Sequence, residues 1–181
     1  MLPSSIVTLE IFFLTIIFSS ILGMFVAFGR MSKYAIIRIP IQVFLLIMRG
    51  TPLILQLMFF YFAPYYIFGT TLPRFWAAIL AFTLNYSAYI AEIYRSGIES
   101  IPVGQYEAAT VLGFGKSETF FKIILPQVVK RIIPPMSNEL MTLVKDTALA
   151  QVIGVAEIFK LAGATMSSQF STVPLIVAGI F

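Results

Sequence analysis

The sequence contains no cysteine and no histidine. Without thiol or imidazole groups, the chain has no means of forming a disulfide, a Cys/His zinc site, a thiol nucleophile or a Ser-His-Asp triad. It also lacks the G-x-x-x-x-G-K-[ST] loop that holds nucleotide phosphates, which excludes ATP hydrolysis by this chain. We therefore expect a non-catalytic protein with no metal site and no cofactor of its own.

Charged residues are also scarce. They make up 11% of the 181 residues, against about 25% in an average soluble domain. Hydrophobic residues make up 59% of the chain, and its mean hydropathy is +0.95. The 12 Lys and Arg residues are spread along the chain rather than clustered, unlike the basic patch of a nucleic-acid-binding domain. The composition predicts a membrane protein in contact with lipid and no nucleic-acid partner.

Long apolar segments divide the sequence, and a helix needs roughly 20 such residues to cross a bilayer. Four segments are complete, and a fifth is too short to cross. They cover residues 6–28, 39–68, 75–94 and 132–158, with the partial one at 173–181. We expect an all-α, polytopic transmembrane helix bundle in a single domain, 1–181. We also expect the natural chain to continue beyond Phe181 through the rest of the fifth span.

The second apolar segment is interrupted by Arg49, Gly50, Thr51 and Pro52. Proline removes a backbone donor and clashes with the preceding helical turn, so we expect the helix to break or kink there. The break is a candidate hinge or exposed-backbone site. For Arg49 we prefer the role of an anchor that extends to the cytoplasmic interface.

The distribution of basic residues predicts the orientation in the membrane. The first and third loops are rich in them, whereas the second and fourth hold only Arg74 and Lys160. The basic residues are Arg30, Lys33 and Arg38 in the first loop and Arg95, Lys116, Lys122, Lys130 and Arg131 in the third. By the positive-inside rule these two loops are cytoplasmic, which places the N-terminus outside.

Several polar residues lie inside the predicted spans, where they are costly unless they face a cavity or a partner. Those of the third span follow a helical i, i+3, i+4, i+7 stripe, and those of the fourth share or adjoin one face. The candidate path residues are Thr51, Asn85, Glu92, Asn138, Glu139, Thr142, Lys145 and Asp146. Two stripes on two spans predict a shared aqueous path. The alternative is that Glu92 with Arg95, and Lys145 with Asp146, only neutralise their neighbours.

The longest polar stretch, 95–131, contains two short helical segments. Gln105 to Leu112 is a run of good helix formers that Gly113 and Gly115 end, and a second helix is expected from Lys116 to Leu125, ending at Pro126. A helical hairpin outside the bilayer is suited to dock in a groove of another protein. The alternative is a loop that packs on its own membrane helices.

The same stretch carries a specific pattern: Glu107-Ala108-Ala109, three residues, Gly113, nine residues, then Ile123-x-Leu125-Pro126. It resembles the signature of ABC importer permease subunits, in which this segment seats in a cleft of a cytoplasmic ATPase. The resemblance implies an ATPase-coupling role for a set of residues along the segment. These are Gly104, Glu107, Ala108, Ala109, Gly113, Ile123, Leu125 and Pro126.

Three further segments resemble the polar amino-acid permeases, the histidine, glutamine and arginine importer group. They are Arg49-Gly50-Thr51-Pro52, Tyr89-x-x-Glu92-x-x-Arg95-x-Gly97-Ile98 and Pro102-x-Gly104-Gln105. The resemblance implies a type I ABC importer-like fold with five spans in the bacterial cytoplasmic membrane. It also implies three partners: an ABC ATPase subunit that binds ATP and Mg, a second permease chain, identical or related, and an external amino-acid-binding protein.

A zwitterionic amino acid needs an acidic partner for its ammonium and a cation or helix N-terminus for its carboxylate. Glu139 and Asp146 could meet the first need, and Lys145 or the amides after Pro52 the second. The sequence leaves the amino acid open. Two other classes stay open on the residues alone: a secondary transporter or channel without an ATPase, and a subunit that only anchors a partner.

Overall fold

The computed structural model describes residues 2–155 and, beyond them, positions 163, 164, 167, 173 and 176. Every regular element in residues 2–155 is helical. The first, α1 (Leu2–Arg30), has 29 residues, about 43 Å at 1.5 Å per residue, and is apolar and long enough to cross a membrane alone. It contains the whole first predicted span.

The second predicted span is two helices, α2 (Ala35–Gly50) and α3 (Leu53–Phe68), bent by 111° at the break. Together they are apolar and long enough for one broken span. Thr51 adopts an extended conformation (φ −118°, ψ 146°) because the ring of Pro52 disfavours a helical residue before it. The predicted break is confirmed.

The central helix is α4 (Arg74–Glu99), which packs along the length of α1 and also against α2, α3 and a later helix, α7 (Leu125–Asp146). Its small buried side chains, Ala77, Ala78 and Ala81, let neighbouring helices approach closely. Fully buried Ile11, Leu57, Phe82 and Leu143 fill the core between them. The helix continues five residues past the predicted end of the third span, Tyr94.

A short helix, α5 (Val103–Val111), lies in the predicted cytoplasmic stretch. Gly113 ends it in the left-handed conformation (φ 80°), with the Phe114 amide donating to the carbonyl of Ala109 at 3.0 Å. This is the Schellman arrangement, in which the residue after the helix is usually glycine. The predicted glycine stop is confirmed.

The second helix of the hairpin does not end at Pro126, so that part of the prediction was wrong. The chain runs from α6 (Lys116–Glu118) through a π-helical segment (Thr119–Ile124) into α7 (Leu125–Asp146) without leaving helical structure. A proline clashes with the carbonyl four residues before it. The wider π-helical turn precedes Pro126 and accommodates its ring.

The fourth predicted span, 132–158, also differs from the observed helix. The α-helix starts earlier, at Leu125, and tightens after Asp146 into a 3-10 helix (Thr147–Ile153) that ends at left-handed Gly154 (φ 83°). The last residues of that span and nearly all of the fifth, 173–181, lie outside the described residues.

Candidate functional site

Two buried amide side chains hold the break between α2 and α3. The Gln56 amide nitrogen donates to the carbonyl of Met48 (2.9 Å) and to the carbonyl (3.2 Å) and hydroxyl (2.8 Å) of Thr51. Asn85 on α4 donates to the same Met48 carbonyl and to the Gln56 side-chain oxygen, both at 3.0 Å. The carbonyls of Met48 and Thr51 are thereby satisfied, and the break is fixed to α4.

Asn85 is one of the predicted path residues, yet both its amide hydrogens are engaged in this network. Gln56 is a structural residue that the sequence interpretation missed. A signal was present, because it is the only amide in the apolar run from Leu53 to Phe60 and stands four residues after Pro52.

A cavity of about 270 Å³ lies between the break, α4 and α7. A water molecule occupies about 30 Å³ in the liquid, so the space admits a small solute with some solvent. Five of the eight predicted path residues line it. The lining residues are Thr51, Pro52, Leu53, Asn85, Tyr86, Tyr89, Glu139, Thr142 and Asp146.

The acidic side of the cavity is on α7. Glu139, Thr142 and Asp146 are spaced i, i+3, i+7, which puts them on one face of the helix. The hydroxyl of Tyr86 donates to Oδ2 of Asp146 at 2.7 Å and so orients that carboxylate. Two carboxylates facing one cavity make a site that suits a cation or an ammonium group.

Hydrogen-bond donors lie near the opposite wall of the cavity. The guanidinium of Arg49 lies over the ring of Tyr89, 5.4 Å from its centroid; Tyr89 lines the cavity, whereas Arg49 itself does not. The amides of Leu53 and Ile54, at the start of α3, have no intrahelical partner, as is normal for the first turn of a helix. The cavity thus has acidic groups on one wall and donors near the other.

The remaining three predicted path residues do not line this cavity. Asn138 and Lys145 are exposed on a neighbouring face of α7. Glu92 lies elsewhere, in a cluster of charged groups where Arg95 donates to it three hydrogen bonds of 2.7 to 3.2 Å. The alternative interpretation, that Glu92 neutralises Arg95, agrees with this geometry.

The predicted docking helix, α5, lies outside the helix core. Its apolar side chains are largely exposed, including Val103 (69%), Val111 (87%) and Leu112 (73%), and Glu107 is exposed beside them. Ala109 alone is buried. An exposed apolar surface of this kind is typical of a site that binds another protein or the membrane.

Contacts tie this helix to α7. The Gln127 side-chain amide donates to the Gln105 side-chain oxygen at 3.2 Å and to the carbonyl of Ile123 at 2.9 Å. Buried Ile101, Ile124 and Val128 form a small core beneath it, against which Ile123 packs. The docking helix is therefore connected to the helix that carries Glu139 and Asp146.

The start of α6 is fixed by charge. The Glu118 carboxylate accepts a hydrogen bond from the Gly115 amide (3.3 Å) and pairs with Lys122 (2.8 Å), and the bond to Lys122 is the main reason that the pKa of Glu118 lies below its usual value. Both groups are exposed, so the pair adds little to stability. It orients the turn that follows the docking helix.

Curated proteins similar to this chain are permease proteins. Over 154 residues it is 44% identical to the L-cystine transport system permease protein TcyB of Bacillus subtilis, covering 84% of this chain and 65% of that protein. Over 175 residues it is 37% identical to the arginine transport system permease protein ArtQ of the same organism, covering 96% of this chain and 80% of that protein.

Solved structures show the same fold. A chain of an amino acid ABC transporter with histidines superimposes with a TM-score of 0.89 at 33% identity, covering 99% of this chain and 84% of that one. A chain of the MetNI methionine ABC transporter, in inward-facing conformations, gives 0.75 at 20% identity, covering 99% and 88%. The second match shows likeness of fold alone.

A family model matches residues 19–181, which is most of the chain. Its description is binding-protein-dependent transport system inner membrane component. The similar permease proteins and the similar transporter fold agree with that match. This chain belongs to the family of binding-protein-dependent transport system inner membrane components.

Proposed function

We propose that this chain is the membrane-spanning permease subunit of an ATP-driven amino-acid importer. The permease proteins that it resembles are named for cystine and arginine transport, and the similar structure at 33% identity is an amino acid ABC transporter. The chain spans 65% and 80% of the length of those two relatives. ATP and Mg²⁺ are bound by a separate ATPase subunit.

The observation that carries the proposal is the exposed docking helix α5. It presents Val103, Tyr106, Val111 and Leu112 away from its own core, with Glu107 beside them. An apolar helix of this kind binds in a groove of a partner protein. Glu107-Ala108-Ala109 lies on it, as the resemblance to ABC importer permeases requires.

The docking helix is linked to the cavity through a single helix, α7. Gln105 on α5 is bonded to Gln127 on α7, and α7 carries Glu139 and Asp146 about three and five turns further on. Arg131 also donates to the carbonyl and to the hydroxyl of Ser100, which ties α7 to the end of α4. We expect closure of the ATPase to move α5 and α7 together and so reshape the cavity.

Within the cavity we assign the substrate's ammonium group to Glu139 and Asp146. We assign its carboxylate to the first amides of α3. Lys145, the other candidate, is exposed on another face. Arg49 does not line this cavity and has no part in the assignment. The substrate class is amino acids, with cationic, neutral and acidic members and cystine all compatible with a site of mixed charge.

The other partners follow from the same proposal. They are a second permease chain, identical or related, and an external amino-acid-binding protein that delivers the substrate. With the docking helix on the ATPase side, the N-terminus is outside and α5 is cytoplasmic, as the basic residues of the first and third loops predict.

The test is to co-express the chain with its ATPase and purify the complex into lipid nanodiscs. Hydrolysis of ATP is then measured with the binding protein, with and without amino acids. Stimulation by an amino acid supports the importer. Uptake that follows an ion gradient and proceeds without any ATPase would establish a secondary transporter instead.

A further inference from the structure

Three arginines from three helices surround Glu92. Arg95, from the same helix, is 2.7 Å away, whereas Arg49 at the end of α2 is 3.8 Å away and Arg30 at the end of α1 is 4.0 Å away. Arg95 also pairs with Glu99. Three guanidinium groups thus share two carboxylates, which leaves the cluster one positive charge in excess.

The excess charge resides on Arg30 and Arg49. Arg95 donates every hydrogen bond that Glu92 accepts from an arginine, and contacts of 3.8 and 4.0 Å are too long to be hydrogen bonds. Within residues 2–155, neither Arg30 nor Arg49 donates a hydrogen bond. Each guanidinium has five donors, so both retain their capacity to bind an anion.

These two arginines face an open cleft of about 470 Å³ between the ends of α1 and α2. Gln42, about two turns before Arg49 on α2, adds an amide, and the rest of the lining is mainly apolar. The lining residues are Arg30, Gln42, Leu45, Leu46, Arg49, Gly50 and Glu92. Leu46 is 75% exposed, so the cleft continues onto an apolar outer surface.

The arrangement has the chemistry of a lipid headgroup site. Planar guanidinium forks bind phosphate oxygens in pairs, and the adjoining leucines suit an acyl chain. Arg30 is the last residue of α1, a helix long enough to cross the membrane. The distribution of basic residues predicts that this end of α1 is cytoplasmic. Anionic lipids are enriched in that leaflet.

We propose that the cleft formed by Arg30, Gln42 and Arg49 binds the phosphate of an anionic phospholipid. The bound phosphate neutralises the excess charge of the Glu92 cluster, and its acyl chain lies along Leu46. This site is separate from the cavity and does not depend on transport of an amino acid. A lipid bound there joins the end of α1 to the end of α2, next to the break.

The test uses the full chain, purified with the subunits that it retains, and native mass spectrometry after addition of phosphatidylglycerol or phosphatidylcholine. We expect selective retention of phosphatidylglycerol. Arg30→Gln should weaken that retention by roughly tenfold, as for loss of a hydrogen-bonded charge pair. The matched control is Arg38→Gln, which removes the same charge from the same predicted loop but not from the cleft.

A second variant tests the same cleft independently, in case Arg30→Gln fails to fold. Gln42→Glu keeps both arginines and places a carboxylate in the cleft, where it repels or replaces the phosphate. It should abolish the rise in melting temperature that phosphatidylglycerol gives to the unmodified protein. Circular dichroism of both variants in detergent checks that the helical fold is intact.

Three outcomes would overturn the proposal. Equal loss of lipid in the Arg30→Gln and Arg38→Gln variants would mean general attraction to a basic surface. Displacement of the lipid by millimolar inorganic phosphate, with the same melting-temperature rise from phosphate alone, would mean a site for the free anion. If an Arg30→Lys variant is crosslinked by carbodiimide to an acidic residue of another subunit and no lipid is retained, the cleft is a subunit contact.

Discussion

The side-chain nitrogen of Asn85, on α4, lies 3.0 Å from the backbone oxygen of Met48, on α2. This single hydrogen bond joins two helices that are 37 positions apart in sequence, at the place where α2 gives way to α3. With Gln56 it satisfies a carbonyl that the break releases. The helix break is therefore an ordered feature of the fold.

Replacing Asn85 by alanine should destabilise the protein. The change removes one of the two donors to the Met48 carbonyl and the donor to the Gln56 oxygen, and a buried polar group left unsatisfied costs about 1–3 kcal/mol. We expect a lower melting temperature in detergent. Asn138→Ala removes an exposed asparagine and serves as the control. Equal melting temperatures for the two variants would contradict the structural role of Asn85.

Replacing Glu139 by glutamine should weaken the response to substrate while leaving assembly intact. The carboxylate is one of two that face the cavity, and hydrogen bonds to charged groups contribute about 1.5–3 kcal/mol. The concentration of amino acid that half-stimulates ATP hydrolysis should rise by roughly tenfold or more. Glu99→Gln, outside the cavity, is the control. An unchanged concentration dependence in the Glu139 variant would rule out binding by that group.

The Tyr86→Phe variant tests how much the orientation of the Asp146 carboxylate contributes to substrate binding, separately from its charge. The ring and its packing are kept, and only the 2.7 Å hydrogen bond from the hydroxyl is lost. We expect a smaller loss of apparent substrate affinity than in Asp146→Asn, measured by the same ATPase assay. A variant with both changes should be no worse than Asp146→Asn alone. A further loss in the double variant would show that the hydroxyl contacts the substrate itself.

Val111→Ser should weaken binding of the ATPase without destabilising this chain. The side chain is 87% exposed here, and burying a valine contributes about 1.5–3 kcal/mol. Less ATPase should co-purify with the variant, at an unchanged melting temperature. Val129→Ser, an exposed position on α7 outside the docking helix, is the control. Equal recovery of the ATPase with both variants would remove α5 from the interface.

Gly113→Ala should strain the end of the docking helix. Gly113 has φ 80°, a conformation that costs other residues about 1–2 kcal/mol. Gly104, in the first turn of α5, has open space around it and serves as the control, because alanine is there neutral or stabilising. Only the Gly113 variant should lose helical hairpin order, seen as faster amide hydrogen exchange in 103–114. Equal exchange in both variants would contradict the assigned strain.

The docking hairpin could be predicted from sequence because its signals are local. The glycines that end α5, the exposed apolar residues and the Glu107 to Pro126 spacing all lie within about two dozen consecutive positions. The end at Pro126 was wrong because a proline can be tolerated when the preceding turn widens. Sequence propensity gave no sign of the π-helical segment that does so.

The cavity was predicted less completely because its contacts are long-range. Tyr86 and Asp146 are 60 positions apart, and no local pattern connects them. Helical periodicity found both polar stripes, but it could not decide which face of α7 is turned inward. It therefore grouped Asn138 and Lys145 with Glu139, and it placed Glu92 in the path although three arginines hold it elsewhere.

The π-helical segment Thr119–Ile124 has a consequence for the direction of the side chains beyond it. Each π-helical turn holds about one residue more than an α-helical turn, and one residue corresponds to a rotation of about 100° around the axis. The inward face of α7 is therefore out of phase with the helix that starts at Lys116. A helical wheel drawn continuously from Lys116 therefore misplaces Glu139 and Asp146 by about 100° around the axis. A wheel that starts at Leu125 gives their relative directions on α7.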